Sequence, residues 1–571
     1  MMTILDLNNL SIEQIQFLEQ ITDEIMEDYH DLIARIHERA GTGIYWQVNN
    51  LLSRNNYISR VFEDVCCLEL VRRVGAGDNI TTIIVKTPSQ KKVLTRYFKG
   101  QNKQIQFHNS LKSWLKTLVK PGYDFLRNIH WSLVYLMQKD NCRKKKIPRE
   151  RPLTLIDTFF GSYIFKTGAF KERYYNGLLD HLTLEERKYI FFVPNVITWR
   201  NLKKIIRLSE KTRENFLYPF DFLEIRDYLY ALAAPFFIKR IQLGDFVFRG
   251  MDIGPVLKAD FRNKIALRSS FRGILFFQFF RRLKLEKIHL HLVIDWFENQ
   301  VVDRGFNKGK NEFFPDTPSI GYQGLIAPYK WNFHVQPTEV EARAGVLPRQ
   351  VAVIGSGLVD IAKKYYPGLD VTVAPGLRFS DIHKTRIKKT AQFNTKNPVI
   401  LVALPIWVRD SLDILKILLE IQDVFALNKA VLLIKPHPSL DFKSVQSGLP
   451  LWPAMFAKTE GDFSRIITKA DLLISTGSTV CMESIAYGIP VIVIGSRNGI
   501  TKNIIPETVP KDIWALCHTG DEVSKALQRL CFGLSQGDRN KFSYQAQLIR
   551  ESFFEPVSRA GVKQFLRMEQ G

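Results

Sequence analysis

The chain has 571 residues, of which 46% are hydrophobic and 24% charged, which excludes a disordered, collagen-like or coiled-coil protein and suits several domains of about 100–200 residues. No apolar run reaches the roughly 18–20 residues of a membrane helix, the start MMTILDLNNLSIEQIQ lacks a secretory signal, and the six cysteines show neither CxxC nor metal-ligand spacing, so a reduced cytoplasmic protein without structural metal or disulfide is expected. The formal charge is +23, and residues 96–151 alone hold fourteen Lys and Arg against three acids, a local surplus that calls for an anionic partner or surface.

In chain order, residues 1–70 read as helical, with apolar residues at three- and four-residue steps from Ile4 to Leu18 and from Ile25 to Ile36. Thr81–Val85 is a short β-branched run closed by Lys86-Thr87-Pro88. In the basic stretch, Leu111, Trp114, Leu115, Leu118 and Val119 recur at helical spacing between Lys112, Lys116 and Lys120. A second set, Phe125, Ile129, Leu133 and Leu136, follows Pro121-Gly122. Basic residues interleaved with Trp and Tyr on an amphipathic helix fit contact with an anionic membrane surface; packing on the core is the alternative, and nucleic-acid binding lacks a fold signature.

From residue 152 the pattern is α/β. Buried-type strands are expected at Leu153–Ile156, Tyr189–Val193, Ile288–Ile294 and Ser319–Tyr322, and helical stretches separate the first three. After a linker over Pro328–Pro348, a second series has strands at Val351–Ile354, Val371–Ala374, Val399–Leu404, Val431–Ile434, Leu472–Ile474 and Val491–Ile494, with helices such as Ser411–Phe425 and Thr479–Tyr487 between them. The expected architecture is two doubly wound Rossmann-like domains facing across a cleft. The N-terminal one spans 1–335, with a helical extension and the basic insert at about 96–151. The C-terminal one spans 349–540, and a helical tail covers 541–571.

Ligands of such sheets bind beyond the carboxyl ends of the strands. Val431–Ile434 runs into Lys435-Pro436-His437-Pro438, where two prolines stiffen a turn carrying two phosphate donors. Leu472–Ile474 runs into Ser475-Thr476-Gly477-Ser478-Thr479 and a helix with Glu483 in its first turn. Gly477 admits close backbone approach, Ser478 or Thr479 is a natural helix cap, and the N–H groups, hydroxyls and dipole suit an anion. Glu483 can accept from both hydroxyls of a ribose. A capped helix and a carbonyl-bonded histidine are the purely structural alternatives.

The run from Lys435-Pro436-His437-Pro438 through Ser475–Glu483 to Gly488-Ile489-Pro490-Val491 resembles the donor half of GT-B glycosyltransferases, in particular those with a His-Pro turn and cytidine-activated donors. Asp295-Trp296-Phe297-Glu298-Asn299-Gln300, Ile320-Gly321-Tyr322-Gln323 and Pro375-Gly376-Leu377-Arg378-Phe379 are similar to bacterial surface-carbohydrate (capsule and lipopolysaccharide) biosynthesis proteins. The resemblance is good over about 350–500, looser over 152–335 and absent over 1–150. It implies that His437 contacts the donor phosphate, that Thr476, Gly477, Ser478 and Thr479 hold the phosphate or nucleotide, and that Glu483 binds the ribose. It also implies a nucleotide-activated sugar or polyol phosphate as donor, a glycan or lipid-linked acceptor, and a place at the inner face of a bacterial cytoplasmic membrane. No cofactor and no metal are expected: there is no Asp-x-Asp, so phosphate charge would be met by helix N-termini, Lys435 and Arg378.

No shared motif gives the base that would deprotonate an acceptor. Glu298, beside the amides of Asn299 and Gln300 that suit sugar hydroxyls, and Asp157 are the acids expected just past strand ends of the first domain. Three strings are set aside: Gly305–Asn311 lacks the spacing of a P-loop, Gly533–Gly537 follows a helix rather than a strand, and Gly355-Ser356-Gly357 has no third glycine. An epimerase or hydrolase of nucleotide sugars would need further acids and a second histidine in the cleft, His334 and His383 being poorly placed. A non-catalytic assembly protein would bind no nucleotide.

Overall fold

The computed structural model describes residues 3–75, 80–108, 111–139, 147–160, 172–196, 202–212, 214–238, 246–327, 332–384, 386–387, 396–497 and 500–568. The basic run at 143–146 and the side chains at 111–118 lie outside the described residues.

Two large parallel sheets organise the chain. The first has seven strands in the order Val371–Val373, Gln350–Val353, Ser319–Gln323, Leu290–Trp296, Leu153–Phe160, Ile190–Val196 and Asn215–Phe216. The second has six, in the order Phe456–Lys458, Val431–Pro436, Val399–Leu404, Leu472–Ser475, Val491–Ile494 and Trp514–Cys517. Each sheet winds outward in both directions from its first strand, so each has a switch point: between Leu153–Phe160 and Leu290–Trp296 in one, and between Val399–Leu404 and Leu472–Ser475 in the other. This is the doubly wound Rossmann-like topology that the alternation of apolar strands and helices implies. The central strands are apolar because both faces are covered. Ile400, Leu401, Val402, Leu472 and Ile492 are almost wholly buried, each contributing about 1.5–3 kcal/mol by leaving water.

Several expectations are corrected. Gln350–Val353 and Val371–Val373 extend the first sheet through Ser319–Gln323 rather than opening the second. Short apolar strands look alike in sequence, and only pairing decides their sheet. The described part of the expected linker, 332–348, is packed structure: it carries the helix Glu339–Arg343, and the buried Glu341 is bonded to Arg54 and Arg304. Residues 1–70 are not all helix, since Thr3–Asp6 pairs in parallel with Ile80–Ile84 in a three-stranded sheet completed by Gln104–Gln106. The two helical sets around Pro121 form one helix, Leu111–Gln138.

The helical tail crosses between the sheets. Arg550 of helix Gln536–Phe553 donates to the carbonyl of Ala486 near the second sheet, while the N–H of Glu555 donates to Ile354 and Phe565 packs on Tyr322 at 5.1 Å near the first. The strings set aside are structural. Gly305 lets helix Val301–Phe313 touch helix Arg268–Leu285 at Gly273, Gly355 lies against the backbone of Phe553, and Ser535 caps helix Gln536–Phe553. The described cysteines, Cys66, Cys67, Cys481, Cys517 and Cys531, are buried and none is in a disulfide among the described residues. Among the described residues no helix is long and apolar enough to cross a membrane, and no group of three or more His, Cys, Asp or Glu could hold a metal ion.

Candidate functional site

The carboxyl ends of the two sheets line a crevice of about 600 Å³. From the second sheet come the turn Lys435–Pro438, Ser478, Thr479 and Glu483; from the first come Glu172, Arg173, Asn176 and Arg378. The turns after Val431–Pro436 and Leu472–Ser475 therefore converge, because the strands that carry them flank Val399–Leu404 on either side.

His437 is half-buried, and its backbone N–H donates to the carbonyl of Leu404 at 3.1 Å, which anchors the turn. Its Nδ1 accepts from the N–H of Ser439 at 3.1 Å. Burial holds the imidazole below its ordinary value, and Arg173 and Arg378 press the same way. The neutral ring therefore carries its proton on Nε2, as a donor. Lys435 donates to the carbonyl of Gly461 at 2.6 Å, and burial lowers it too.

Arg378 stands on a turn, Leu377–Phe379, that follows the last strand of the first sheet. The Tyr322 hydroxyl fixes this turn, donating to Pro375 at 2.7 Å and accepting from the N–H of Leu377 at 3.2 Å. Its guanidinium lies over the Phe379 ring, 5.4 Å from the centroid. Among the described residues neither the Arg173 nor the Arg378 guanidinium forms an ion pair or a hydrogen bond; burial first and then Arg173 loosen the hold of Arg378 on its proton, and Glu483 opposes them. Two guanidiniums beside one crevice, with only the Glu483 carboxyl acting on both, favour a bound anion there.

Burial pushes the Glu483 carboxyl up to about 7, Arg378 and Arg173 opposing and Asp381 adding to the rise. Thr479 occupies the cap position of helix Val480–Ala486 without its hydroxyl bonding the helix. The hydroxyls of Ser478 and Thr479 thus border the crevice instead of serving as the expected cap.

Other expected site residues lie elsewhere. Thr476 borders a separate small hollow with Asp410 and Lys502, and the close approach at Gly477 is made by the Lys502 carbonyl rather than by a ligand. Asp157 is not past a strand end. Its strand continues to Phe160, and the carboxyl is sealed beside Asp295, Asp303 and Arg272, burial first and then Asp303 pushing it up. Glu298 is held in place, one oxygen accepting from Trp296 Nε1 at 2.8 Å and the other from Gln300 Nε2 at 2.6 Å. Asn299 has φ +54° and is fully buried, donating to the His334 carbonyl and to Glu341. Glu298, Asn299 and Gln300 do not line the crevice. His334 is buried away from it, and His383 bonds the Phe554 carbonyl at 2.6 Å.

Glu172, Arg173 and Asn176 went unnoticed in the sequence. The available signal was the charged run Lys171-Glu172-Arg173 in the connection after the first strand of the first sheet. Glu172 accepts from the Thr158 hydroxyl at 2.7 Å and from the N–H of Tyr175, and burial pushes it up to about 6 against those bonds.

No family model and no curated protein matches the chain. Among solved structures it is similar to the S. aureus MnaA–UDP co-structure, with 12% identity, 74% of this chain and 98% of that one covered, and a TM-score of 0.40. It is also similar to MurG of Acinetobacter baumannii (11%, 73% and 100%, 0.36) and to the wall teichoic acid polymerase TagF (12%, 80% and 96%, 0.36).

Proposed function

We propose that the chain is a GT-B-type glycosyltransferase that moves a sugar, or a polyol phosphate, from a nucleotide-activated donor to a surface-polysaccharide or lipid-linked acceptor. A CMP- or CDP-linked donor is the first choice, on the resemblance of the His-Pro turn. The observation that carries the reading is the meeting of His437, Ser478, Thr479 and Glu483 with Arg173 and Arg378 around one crevice at a topological switch point.

For a sugar, the acceptor oxygen bonds to the anomeric carbon as the carbon–oxygen bond to phosphate breaks, and the electron pair of that bond leaves with the phosphate. Nε2–H of His437, Lys435 and the two arginines meet the charge that develops there. Glu483 accepts from the ribose. The acceptor's proton goes to a first-lobe carboxylate. Glu172 is the choice, because it borders the crevice whereas Asp157 is sealed and Glu298 does not border it; the bonds Glu172 accepts from Thr158 and Tyr175 fill only part of a carboxylate's roughly four acceptor positions.

A second reading, a nucleotide-sugar epimerase or hydrolase, gains from the same two carboxyls, Glu172 and Glu483, poised near neutrality in one crevice. It lacks the second histidine there among the described lining residues. Nucleotide release from a panel of activated sugars, with and without a lipid-linked or oligosaccharide acceptor, separates the two. Acceptor-dependent release that falls about 10²-fold or more in Glu172→Gln but not in Glu298→Gln supports the transferase with Glu172 as base. Turnover without acceptor supports the second reading, and no release from any donor removes both.

A further inference from the structure

The described inner side of helix Leu111–Gln138 mixes the core aromatics Trp131 and Tyr135 with polar residues. Asp124, Asn128, Ser132 and Gln138 are buried, and Asn128 donates to the carbonyl of Ala266 at 2.9 Å. Its outward stripe is Val119, Tyr123, Leu126, Leu133 and Met137, broken only by His130; Leu126 is 66% and Met137 72% exposed. A water-facing helix has the opposite arrangement.

The neighbouring helix Ile225–Phe237 buries Tyr228, Ala231 and Ala234 and likewise turns apolar residues outward. Asp227 is buried and bonded twice to Arg282, at 2.7 and 2.9 Å, whereas Ile225, Leu229, Phe236 (74% exposed) and Phe237 (69%) face outward. The two helices run antiparallel: the Phe125 ring meets the Phe236 ring edge-on at 5.6 Å, and Leu136 shares a hollow with Ile225. Their apolar stripes therefore join into one face, and Lys139 and Arg226 stand at its border around that hollow with Glu224, which pairs with Arg226 at 3.0 Å and with Arg282 at 2.9 Å.

The charge of the surroundings selects the occupant. Residues 96–151 carry fourteen Lys and Arg against three acids. An apolar face set in a basic field matches a lipid surface with acidic headgroups, whereas a self-association face gains nothing from the surplus. We infer that helices Leu111–Gln138 and Ile225–Phe237 form a two-helix seat on a bilayer containing anionic lipid. Leu133, Met137, Phe236 and Phe237 enter the interfacial layer, and Lys139 and Arg226 stay among the headgroups. This inference does not depend on the transferase reading, and its test uses no substrate.

The full chain is floated with phosphatidylcholine vesicles, with and without phosphatidylglycerol, at low and high salt. Expected is co-flotation with the phosphatidylglycerol vesicles that weakens in salt and in its absence. The bound fraction should fall by at least about tenfold in Leu133→Ser/Phe236→Ser with the melting temperature unchanged. Lys139→Glu/Arg226→Glu should lose only the phosphatidylglycerol-dependent part. Failure to float with any vesicle, or flotation unaltered in Leu133→Ser/Phe236→Ser, overturns the inference. A wild-type dimer in light scattering that the same variant converts to monomer also overturns it, assigning the face to a second copy.

Discussion

The N–H of Ser439 donates to Nδ1 of His437 at 3.1 Å, which directs the imidazole proton to Nε2 and toward the crevice. Burial and the two arginines hold the ring below its ordinary value, so it is a neutral donor at pH 7. Replacing His437 by Ala is expected to lower turnover by about 10²–10³-fold, the cost of one preorganised donor to a developing anion. Because the working form is neutral, wild-type activity does not fall as pH rises from 6.5 to 8 on account of this residue. A pH–rate profile of wild type and variant checks both points.

Among the described residues the Arg378 and Arg173 guanidiniums share the crevice without an ion pair, Arg173 disfavouring and Glu483 favouring the charge on Arg378, so removing Arg378 offsets a repulsion against an attraction in the unliganded protein and removes attraction in the liganded one. Arg378→Met is expected to change the unliganded melting temperature little, and to weaken nucleotide binding by about 10–100-fold, the worth of a charge-assisted hydrogen bond. Calorimetric titration at two salt concentrations gives the affinity, and the variant should show the shallower salt dependence.

Glu483 links the site to pH. Its ordinary value is 4.5, and the fold raises it to about 7. The folded state thus holds its proton more tightly than the unfolded state. The resulting stabilisation is complete below pH 4.5 and is lost as pH rises through 7. Glu483→Gln has no such proton to lose. The unliganded wild type should therefore lose stability relative to the variant between pH 5 and 8, by on the order of 1–3 kcal/mol. Parallel stability curves from denaturant titrations would contradict the assignment.

Gly477 belongs to the fold. A Cβ there would collide with the backbone of Lys502, and backbone cannot swing aside. Gly477→Ala should cost at least about 1–3 kcal/mol of stability without any ligand present, read from the denaturant midpoint. A variant of normal stability that had lost only nucleotide binding would return Gly477 to the ligand.

Strand identity was legible where continuous apolar runs carry the signal: Val399–Leu404 and Val491–Ile494 form as read. Sheet membership was not, because Gln350–Val353 looks like any buried strand until it pairs with Ser319–Gln323. That His437, Ser478, Thr479 and Glu483 border one crevice was legible because stiff turns and a glycine-containing loop follow recognisable strands. Asp157 misled because the polar pair Asp157-Thr158 reads as a strand end, whereas a buried cluster with Arg272 keeps the strand running. Asn299 misled because an amide beside an acid looks like a sugar ligand, although its left-handed backbone and its bonds to Glu341 and His334 make it internal. Arg173 was invisible because its role comes from a tertiary approach to Arg378, more than 200 residues away.

The most direct measurement is a melting-temperature panel with CMP, CDP, UDP, GDP and dTDP on wild type and His437→Ala. A nucleotide present at about 100 times its Kd adds roughly 2.7 kcal/mol to the folded state. The expected result is stabilisation of the wild type by one nucleotide class, cytidine first, and its loss in the variant. No stabilisation by any nucleotide, or an equal shift in both proteins, would contradict a donor-phosphate site at His437.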